Sequence, residues 1–378
     1  MNLKYKCGIL STLFFCFSCN KNEESNTVFF NYSENVSLSE MLSDIDIIKL
    51  ETSDSCQIAN IKQMIIHKEK IFVLNFPVGK NIFVFDMKGK FLHTIGSTGQ
   101  GPGEYVLPHS ISISDDILYV MDVAQNKIML FDSNTYEFIR DEQCKIDATY
   151  FSISKNNRAY LWSNTLEMRS KNKTYPFHLI VSDLNYNVQY TAAPMEVQTG
   201  YHTRWTSPFT YGERNFYFVH PYQNEVYEIS TDTCMLKYTV NFEGFLFPPS
   251  DFLKTNVRSD MYPKIIRESD YINQFTFFET DNYIVSNFFA KRDYYLGIFN
   301  KNRQEGICFN MKNVAIDVHA GCYDNPQTID RDVFYSIIYA GRLTENKEKG
   351  QVPDLILNKI GDIKEDDNPV ILKYKIKF

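Results

Sequence analysis

Short apolar runs that end in aspartate recur along this chain at nearly regular intervals. They end at Asp86, Asp132 and Asp183, and related runs end near Ser230 and Asn300. Most of these ends are spaced by about 40 to 50 residues, the length of one β-propeller blade, and the last interval contains an insertion. Each interval has room for four strands. The spacing therefore predicts a β-propeller built from four-stranded blades.

The middle strands of the predicted blades are apolar without alternation. Ile82–Phe85 and Ile128–Phe131 are examples, whereas a strand exposed on one face would alternate. Blades that stack face to face bury their middle strands on both sides, which this pattern requires. The 25 tyrosines and 30 phenylalanines also favour strands. We therefore expect an all-β domain of six blades.

The predicted sixth blade is split between the two ends of the chain. Val333–Tyr339 and Pro369–Phe378 supply late strands, and Ile45–Leu50 is an early strand without a nearby partner. Pairing the early strand with the C-terminal strand would close the ring and remove exposed sheet edges.

Two insertions are predicted to contain short helices. In the segment 244–278, Ser250 or Asp251 could cap a helix. In the segment 351–363, a helical turn is expected to begin at Asp354 and to end at Gly361, because glycine often terminates helices.

The N-terminus is predicted to be a lipoprotein signal peptide, residues 1–18. It contains lysines followed by an apolar run, Ile9–Phe17, that is too short to span a bilayer. The junction at Cys19 resembles a bacterial lipobox, in which the cysteine becomes the lipidated first residue; an ordinary secretory signal is the alternative. Residues 19–40 are then a tether and lead-in, and residues 41–378 form the propeller. We expect the protein to be lipid-anchored in the outer membrane, on the cell surface or the periplasmic side.

The cysteines, histidines and charge weigh against several classes of protein. The five cysteines after Cys19 are widely spaced and include no C-x-x-C, so neither a disulfide framework nor a zinc site is predicted. Histidines of different repeats could converge on the ring axis, but no spacing supports a metal site, and ordinary histidines are expected. These are His109, His202, His220 and His319. No metal or cofactor is predicted.

The net charge of −7 and the lack of a basic block argue against nucleic acid as a partner.

A glycine-rich segment, Gly96–Tyr105, separates the first two repeats. Phosphate-binding loops are also rich in glycine, but they continue with Gly-Lys-Ser/Thr into a helix. In this chain Gly103 is followed by Glu-Tyr and a strand. The glycines are better explained by a tight crossover between blades, where side chains must be small because backbones crowd.

Residues 96–132 resemble an NHL-type propeller repeat. The matching features are the glycine segment, Pro108, Tyr119–Asp122, Asn126–Ile128 and Phe131–Asp132. The mature chain as a whole resembles the six-bladed β-propeller lipoproteins of Bacteroidetes. The features that carry this second resemblance are Cys19, Ile45–Thr52, Gly99–Tyr105 and Asp366–Val370. The resemblance implies a propeller fold and a surface or periplasmic location, and it implies no catalytic residues.

Two features are candidates for ligand recognition. His109 follows the glycine segment at a position that approaches the ring axis in NHL-type propellers, so the resemblance places it at the mouth of the ring. The second is a polar and aromatic segment that contains Tyr201, His202, Arg204 and Trp205. Such side chains could stack on a sugar ring or a peptide. Packing onto a neighbouring blade is the competing explanation.

The predicted function is binding of a partner protein, a glycan or a peptide at one mouth of the propeller, where loops of all blades converge. The alternative is a hydrolase or lyase with its active site on the ring axis, although the sequence contains neither a nucleophile-elbow nor a zinc-protease motif. Clustered acids or histidines at the axis would favour the enzyme. Apolar and neutral groups there would favour the binding module. A structural subunit of an envelope complex is a third hypothesis, which a large exposed apolar patch would support.

Overall fold

The structure, a computed structural model, describes residues 26–154, 158–162, 168–170, 173–194, 207–212, 215–220, 222–230, 233–254, 262–312 and 326–378. Within these ranges the chain forms six antiparallel four-stranded blades, and the predicted all-β six-bladed β-propeller is confirmed. Blades 1 to 5 follow one another along the chain. The predicted strands of blade 1 and blade 2 lie where the apolar runs placed them.

The strands of each blade are given from the ring axis outward. Blade 1 contains Ile61–His67, Lys70–Asn75, Asn81–Asp86 and Phe91–Ile95. Blade 2 contains Pro108–Ser114, Ile117–Asp122, Lys127–Asp132 and Phe138–Gln143, and blade 3 contains Tyr150–Ile153, Arg158–Trp162, Phe177–Asp183 and Val188–Pro194. In the same direction, blade 4 contains Phe209–Tyr211, Phe216–Val219, Glu225–Ile229 and Cys234–Phe242; blade 5 contains Asn273–Glu279, Tyr283–Ala290, Asp293–Asn300 and Glu305–Asn310; blade 6 contains Pro326–Asp330, Val333–Ile338, Val370–Ile376 and Leu42–Lys49. Two small ribbons pair Ser97–Thr98 with Glu104–Tyr105 and Met168–Ser170 with Lys173–Tyr175.

The ring closes with one strand from each end of the chain, as predicted. Leu42–Lys49 is antiparallel to Val370–Ile376 and forms the outermost strand of blade 6. Because the outer strand comes from the N-terminal part and the other three from the C-terminal part, the two ends of the domain are held together by backbone hydrogen bonds.

Asn368 fastens this closure with its side chain. Its Nδ2 donates to the carbonyls of Glu51 and Cys56 at 2.6 and 2.7 Å. Its Oδ1 accepts the backbone N–H of Ile58 at 2.7 Å. The side chain is fully buried, and its bonds to Cys56 and Ile58 are made away from solvent.

Apolar clusters lie between neighbouring blades. In the third strand of blade 1, Ile82 and Val84 pack toward blade 2, whereas Phe83 and Phe85 pack toward blade 6. All four side chains are buried. Burial on both faces is the physical reason for the continuous apolar runs in the sequence.

The recurring aspartates close the hairpin between the third and fourth strands of a blade. Oδ1 of Asp132 accepts the backbone N–H groups of Thr135 and Asn134 at 2.8 and 2.7 Å, and these bonds lower the pKa of its carboxyl. Asp86 and Asp183 each accept the N–H groups two and four residues further on. The sequence repeat is therefore a repeat of aspartate-stabilised turns.

The glycine-rich segment connects blade 1 to blade 2, as predicted. Gly96 has a φ of +65°, and a Cβ at this position would lie 2.7 Å from the ring of Tyr105. Tyr105 is buried, and its hydroxyl donates to the carbonyl of Ile95 at 2.8 Å. Glu104 accepts the N–H of Gly101 at 2.8 Å. The segment is a packed joint between blades.

An additional strand, Asn26–Tyr32, joins the outer edges of blades 4 and 5. Residues 26–30 pair in parallel with residues 238–242 of blade 4, and Asn31 and Tyr32 pair with blade 5. The sequence predicts a tether and lead-in over 19–40. Of that interval, residues 26–32 belong to the sheet, because their apolar side chains fill a buried space between the two blades.

The helices of the described ranges are Leu38–Met41, Ser250–Leu253, Tyr262–Glu268, Ala340–Glu348 and Asp354–Ile360. The helix predicted between Asp354 and Gly361 is confirmed, and Gly361 ends it with a φ of +59°. Ser250 is the first helical residue, since Pro249 holds the N-cap position without a side-chain bond. None of these helices is long and apolar enough to cross a membrane.

Candidate functional site

The innermost strands of the six blades begin at the same face of the ring, which we call the mouth. A cavity of about 450 Å³ lies there. Its described walls come mainly from the starts of the innermost strands of blades 1, 4, 5 and 6. Residues that contribute to the walls include Lys62, Phe209, Thr210, Gln274, Gln327 and Tyr339.

β-Bulges at the starts of innermost strands determine which residues reach the mouth. In blade 1 the register shifts by one position, and Lys62 is the extra residue. His109 is the extra residue in blade 2, and Gln327 in blade 6. The bulge of blade 5 includes Gln274, whose φ is +55°. Bulges turn side chains out of the regular pattern and are common beside functional sites.

Lys62 is a buried cation at the cavity wall. Its side chain is 6% exposed, and its Nζ has no hydrogen-bond partner among the described residues. The Nζ lies 4.6 Å from the ring centroid of Phe76 and 5.1 Å from that of Tyr150. Burial lowers the pKa of Lys62 to about 7. The two aromatic rings stabilise the charged form only modestly, by about 0.5 to 2 kcal/mol.

His109 lies beside Lys62. Its Nδ1 donates to the carbonyl of Thr149 at 2.9 Å, so the neutral ring presents Nε2 as an acceptor. The imidazole contacts the rings of Phe76 and Tyr150 at centroid distances of 5.8 and 5.0 Å. Burial, together with the positive charge of Lys62, lowers the pKa of His109 to about 4. The histidine is therefore uncharged at neutral pH.

Blade 5 adds two polar groups without a hydrogen-bond partner in the described part of the chain. They are Thr276 Oγ1 and Asn287 Nδ2. The two residues face each other on the first and second strands of the blade, and both line the cavity. Arg267, an exposed residue of the helix Tyr262–Glu268, supplies a second cation to the wall. A ligand with hydrogen-bond acceptors would satisfy these donors.

Side chains tie the innermost strands to one another around the axis. The Gln63 amide donates to the carbonyl of Ile111 at 2.7 Å and accepts the N–H of the same residue at 2.9 Å. These two bonds link blade 1 to blade 2 in the way that backbone hydrogen bonds link neighbouring strands of a sheet. Thr210 Oγ1 donates to the carbonyl of Phe277 at 2.6 Å and links blade 4 to blade 5. The cavity wall is thus held in a preformed shape.

The described part of the cavity wall contains no aspartate, glutamate or histidine. Across the described ranges, no group of three or more histidine, cysteine, aspartate or glutamate side chains is arranged to hold a metal ion. His220 contacts His178, with ring centroids 4.6 Å apart. No disulfide forms among the described cysteines, which are Cys56, Cys144, Cys234 and Cys308.

The structure describes one of the predicted recognition residues, His109, and places it at the mouth next to Lys62. The other predicted residues lie outside the described ranges; these are Cys19, Tyr201, His202, Arg204 and Trp205. Sequence reasoning missed Lys62 and Asn287. Lys62 follows Ile61 at the start of a strand of which only Ile61, Lys62 and Met64 are buried, and no motif singles it out.

Comparison with models of known protein families assigns the chain to a family. The chain belongs to the family described as "6-bladed beta-propeller", whose model matches residues 18–330. No curated protein matches the sequence.

One solved structure supports the same fold, and two further matches have TM-scores below 0.5. A Bacteroides fragilis protein assigned as exported is 21% identical, with a TM-score of 0.81, and the match covers 93% of this chain and 100% of that one. The β-propeller domain of Cps50 (Swd1) from Myceliophteria thermophila is 7% identical, with a TM-score of 0.44, over 88% of this chain and 100% of that one. The Pan2 WD40 domain of Neurospora crassa is 7% identical, with a TM-score of 0.39, over 83% of this chain and 74% of that one.

Proposed function

We propose that the protein is a lipid-anchored envelope protein that binds a glycan, a peptide or an extended segment of a partner protein in the cavity at the propeller mouth. The observation that carries this proposal is the cavity wall, in which Thr276 Oγ1 and Asn287 Nδ2 are buried without a described partner. Buried polar groups are nearly always hydrogen-bonded, so their donors fit a ligand with hydroxyl, carbonyl or amide oxygens.

The size and the aromatic groups of the cavity fit such a ligand. A volume of about 450 Å³ is within the usual range for small-molecule sites. Tyr294 is 45% exposed at the cavity wall and packs edge to face on Phe289, with ring centroids 4.9 Å apart. An exposed ring that is held by a second ring can stack on a sugar or on a peptide side chain.

A glycan and peptide binding screen on the chain from Asn20 onward tests this function. Asn287→Leu removes a cavity donor without adding charge, and we expect it to weaken binding at least about tenfold, which is about 1.4 kcal/mol. Asn302→Leu is the matched control, because Asn302 is exposed, donates from its side-chain amide to Asn282 and is not part of the described cavity wall. Trp205→Ala tests the predicted recognition segment in parallel. Equal affinity of Asn287→Leu and the unaltered protein would exclude the cavity as the binding site.

The anchor is tested separately at Cys19. We expect Cys19→Ser to abolish incorporation of labelled palmitate and retention in the membrane fraction. Incorporation of palmitate into the variant would refute the lipobox. Digestion of intact cells with an added protease then distinguishes the two sides of the outer membrane, because only a surface-exposed propeller is accessible.

A further inference from the structure

We propose that the cavity binds a ligand carrying a carboxylate, and that Lys62 is the residue that pairs with it. This proposal rests on the proposed binding function and narrows its ligand class. Acidic sugars and peptides with a free C-terminus or an acidic side chain belong to this class.

The first argument is the buried amine of Lys62, which has no described hydrogen-bond partner. Buried charges in folded proteins are normally paired or neutralised, because desolvation of an unpaired ion is costly. Lys62 is 6% exposed, lines the cavity and has no described hydrogen-bond partner. An anion in the cavity would supply the missing partner.

The second argument is the character of the groups around Lys62. His109 is neutral, because its pKa is about 4. Phe76 and Tyr150 present ring faces, and Tyr339 on blade 6 is a phenol that bonds to Asn60. The other described charge on the cavity wall, Arg267, is also positive. The wall therefore has one sign of charge, which concentrates anions.

A carboxylate fits this wall better than a phosphate does. Phosphate sites commonly use several backbone N–H groups or the fork of a buried arginine. In this cavity the buried cation is a single lysine, a compact point charge, flanked by aromatic rings and neutral amides. These neighbours suit the apolar faces and hydroxyls of a sugar or the backbone of a peptide.

The lowered pKa of Lys62 makes the proposed binding dependent on pH. A bound carboxylate favours the charged amine and raises its pKa, so binding above pH 7 requires uptake of a proton. Affinity is then nearly constant between about pH 5 and pH 6, where the ligand carboxylate is ionised, and falls by up to about tenfold per pH unit above pH 7. Burial raises the pKa of Tyr150, and the pKa of His109 is about 4, so both side chains stay neutral over this range and the dependence reports Lys62.

The test uses the full chain in detergent with three probes: D-glucuronate, D-glucose and inorganic phosphate. Lysines are methylated with a ¹³C label, and the Lys62 signal is identified by its loss in Lys62→Met. We expect glucuronate to shift this signal and to raise the pKa of Lys62, with little effect of glucose or phosphate. Isothermal titration should show at least a tenfold loss of glucuronate affinity in Lys62→Met and Lys62→Gln, and none in Lys90→Met, an exposed lysine of the same blade.

The outcomes separate this proposal from the binding function itself. Absence of a shift with glucuronate, or a larger shift with phosphate, overturns the carboxylate site. Glucuronate that binds equally to the unaltered protein and to Lys62→Met leaves the binding function intact and overturns the role of Lys62. The shift is measured on the unaltered protein, so the test remains valid if the Lys62 variants fold poorly.

A second inference comes from the direction of the N-terminal strand. In blade 4 the innermost strand starts at the mouth. Because the four strands are antiparallel, the outermost strand, Cys234–Phe242, starts at the opposite face and ends at the mouth. Asn26–Tyr32 is parallel to this outermost strand. Its first residue, Asn26, therefore lies toward the face opposite the mouth.

We infer that the tether holds the propeller with its mouth facing away from the membrane, given the proposed anchor at Cys19. The seven residue steps from Cys19 to Asn26 reach at most about 25 Å when fully extended. The strand Asn26–Tyr32 itself crosses the blade over about 20 Å. To bring the mouth to the membrane, the tether would have to run back along the whole blade, which would use nearly its full length.

Energy transfer from single dyes to a lipid-headgroup acceptor tests this orientation in vesicles that carry the lipidated protein. The dyes are attached to cysteines in a Cys234→Ser, Cys322→Ser background. Lys88→Cys is on the third hairpin loop of blade 1, opposite the mouth, and Val78→Cys is on the mouth side of the same blade. We expect more transfer from position 88 than from position 78.

Equal transfer, or more transfer from position 78, would overturn the orientation. Flotation of the vesicles provides the separate readout for the anchor. A protein that floats with the vesicles but shows reversed transfer disproves the orientation alone. A protein that does not float disproves the anchor, and the orientation with it.

Discussion

Gly297 lies against the ring of Phe30. Gly297 is on the third strand of blade 5, and a Cβ at this position would be 2.8 Å from Phe30 Cδ1 and 2.9 Å from Phe30 Cε1. The ring of Phe30 in turn stacks on Phe242 of blade 4, with centroids 4.8 Å apart. Blade 5 therefore lacks a side chain where the N-terminal strand needs room, and one aromatic ring connects the two blades.

This contact predicts how much a single methyl group added at Gly297 lowers the free energy of unfolding. Gly297→Ala should lower the free energy of unfolding by about 1 to 3 kcal/mol, because the added Cβ must displace the buried ring or the strand that carries it. Urea unfolding measures the change. Gly341→Ala is the control, since its Cβ would meet only Glu365 at 3.3 Å or more. Equal destabilisation of the two variants would contradict the packing argument.

Asn368 is predicted to stabilise the closed ring. Asn368→Ala leaves the carbonyls of Glu51 and Cys56 and the N–H of Ile58 without their partner. Unsatisfied buried groups cost about 1 to 3 kcal/mol each, so we expect a loss of about 3 kcal/mol in the free energy of unfolding. Asn302→Ala, an exposed asparagine, should change it by less than about 0.5 kcal/mol. A loss below about 1 kcal/mol for Asn368→Ala would show that the backbone pairing alone closes the ring.

The joint between blades 1 and 2 is predicted to require glycine at position 96. Gly96→Ala combines a positive φ with a Cβ that would lie 2.8 Å from the carbonyl oxygen of Gly103, a backbone atom that cannot rotate away. We expect a loss of more than about 2 kcal/mol, the sum of backbone strain and steric overlap. Gly101→Ala, where the closest atom is the end of the flexible Glu104 side chain at 3.1 Å, should cost less. Thermal unfolding measures both variants. A melting temperature of Gly96→Ala equal to or above that of Gly101→Ala would contradict the prediction.

The sequence predicted the parts of the fold that repeat. Asp86, Asp132 and Asp183 each accept a backbone N–H two residues further on in the turn after the third strand, so local chemistry recurs with the blade and is readable along the chain. The apolar middle strands follow from burial on two faces, which any propeller imposes. The closing strand was also predictable, because Ile45–Leu50 had no partner nearby and an unpaired edge is unfavourable.

The cavity could not be predicted in the same way, since its residues come from separate blades. Lys62 and Thr276 are more than two hundred positions apart, and neither belongs to a motif. A bulge of one residue turns Lys62 to the mouth, and the sequence alone contains no sign of that shift. The strand Asn26–Tyr32 was missed because its partners, the outer edges of blades 4 and 5, are distant in sequence.

The buried imidazole of His109 predicts a loss of stability in acid. Its pKa is about 4 in the folded protein and about 6.5 in an unfolded chain, so between these values only the unfolded state binds the proton. Stability is therefore lost as the pH falls from 6.5 toward 4, by up to about 3 kcal/mol at 1.36 kcal/mol per pH unit.

His109→Gln cannot bind that proton. Between pH 7 and pH 4.5, its free energy of unfolding should fall by about 2 to 3 kcal/mol less than that of the unaltered protein, as measured by urea unfolding at each pH. Asn302→Ala, which removes no titratable group, should show the same fall as the unaltered protein. A fall of equal size in His109→Gln would mean that the imidazole takes up its proton without unfolding, by rotating out of its contacts with Phe76 and Tyr150 into solvent.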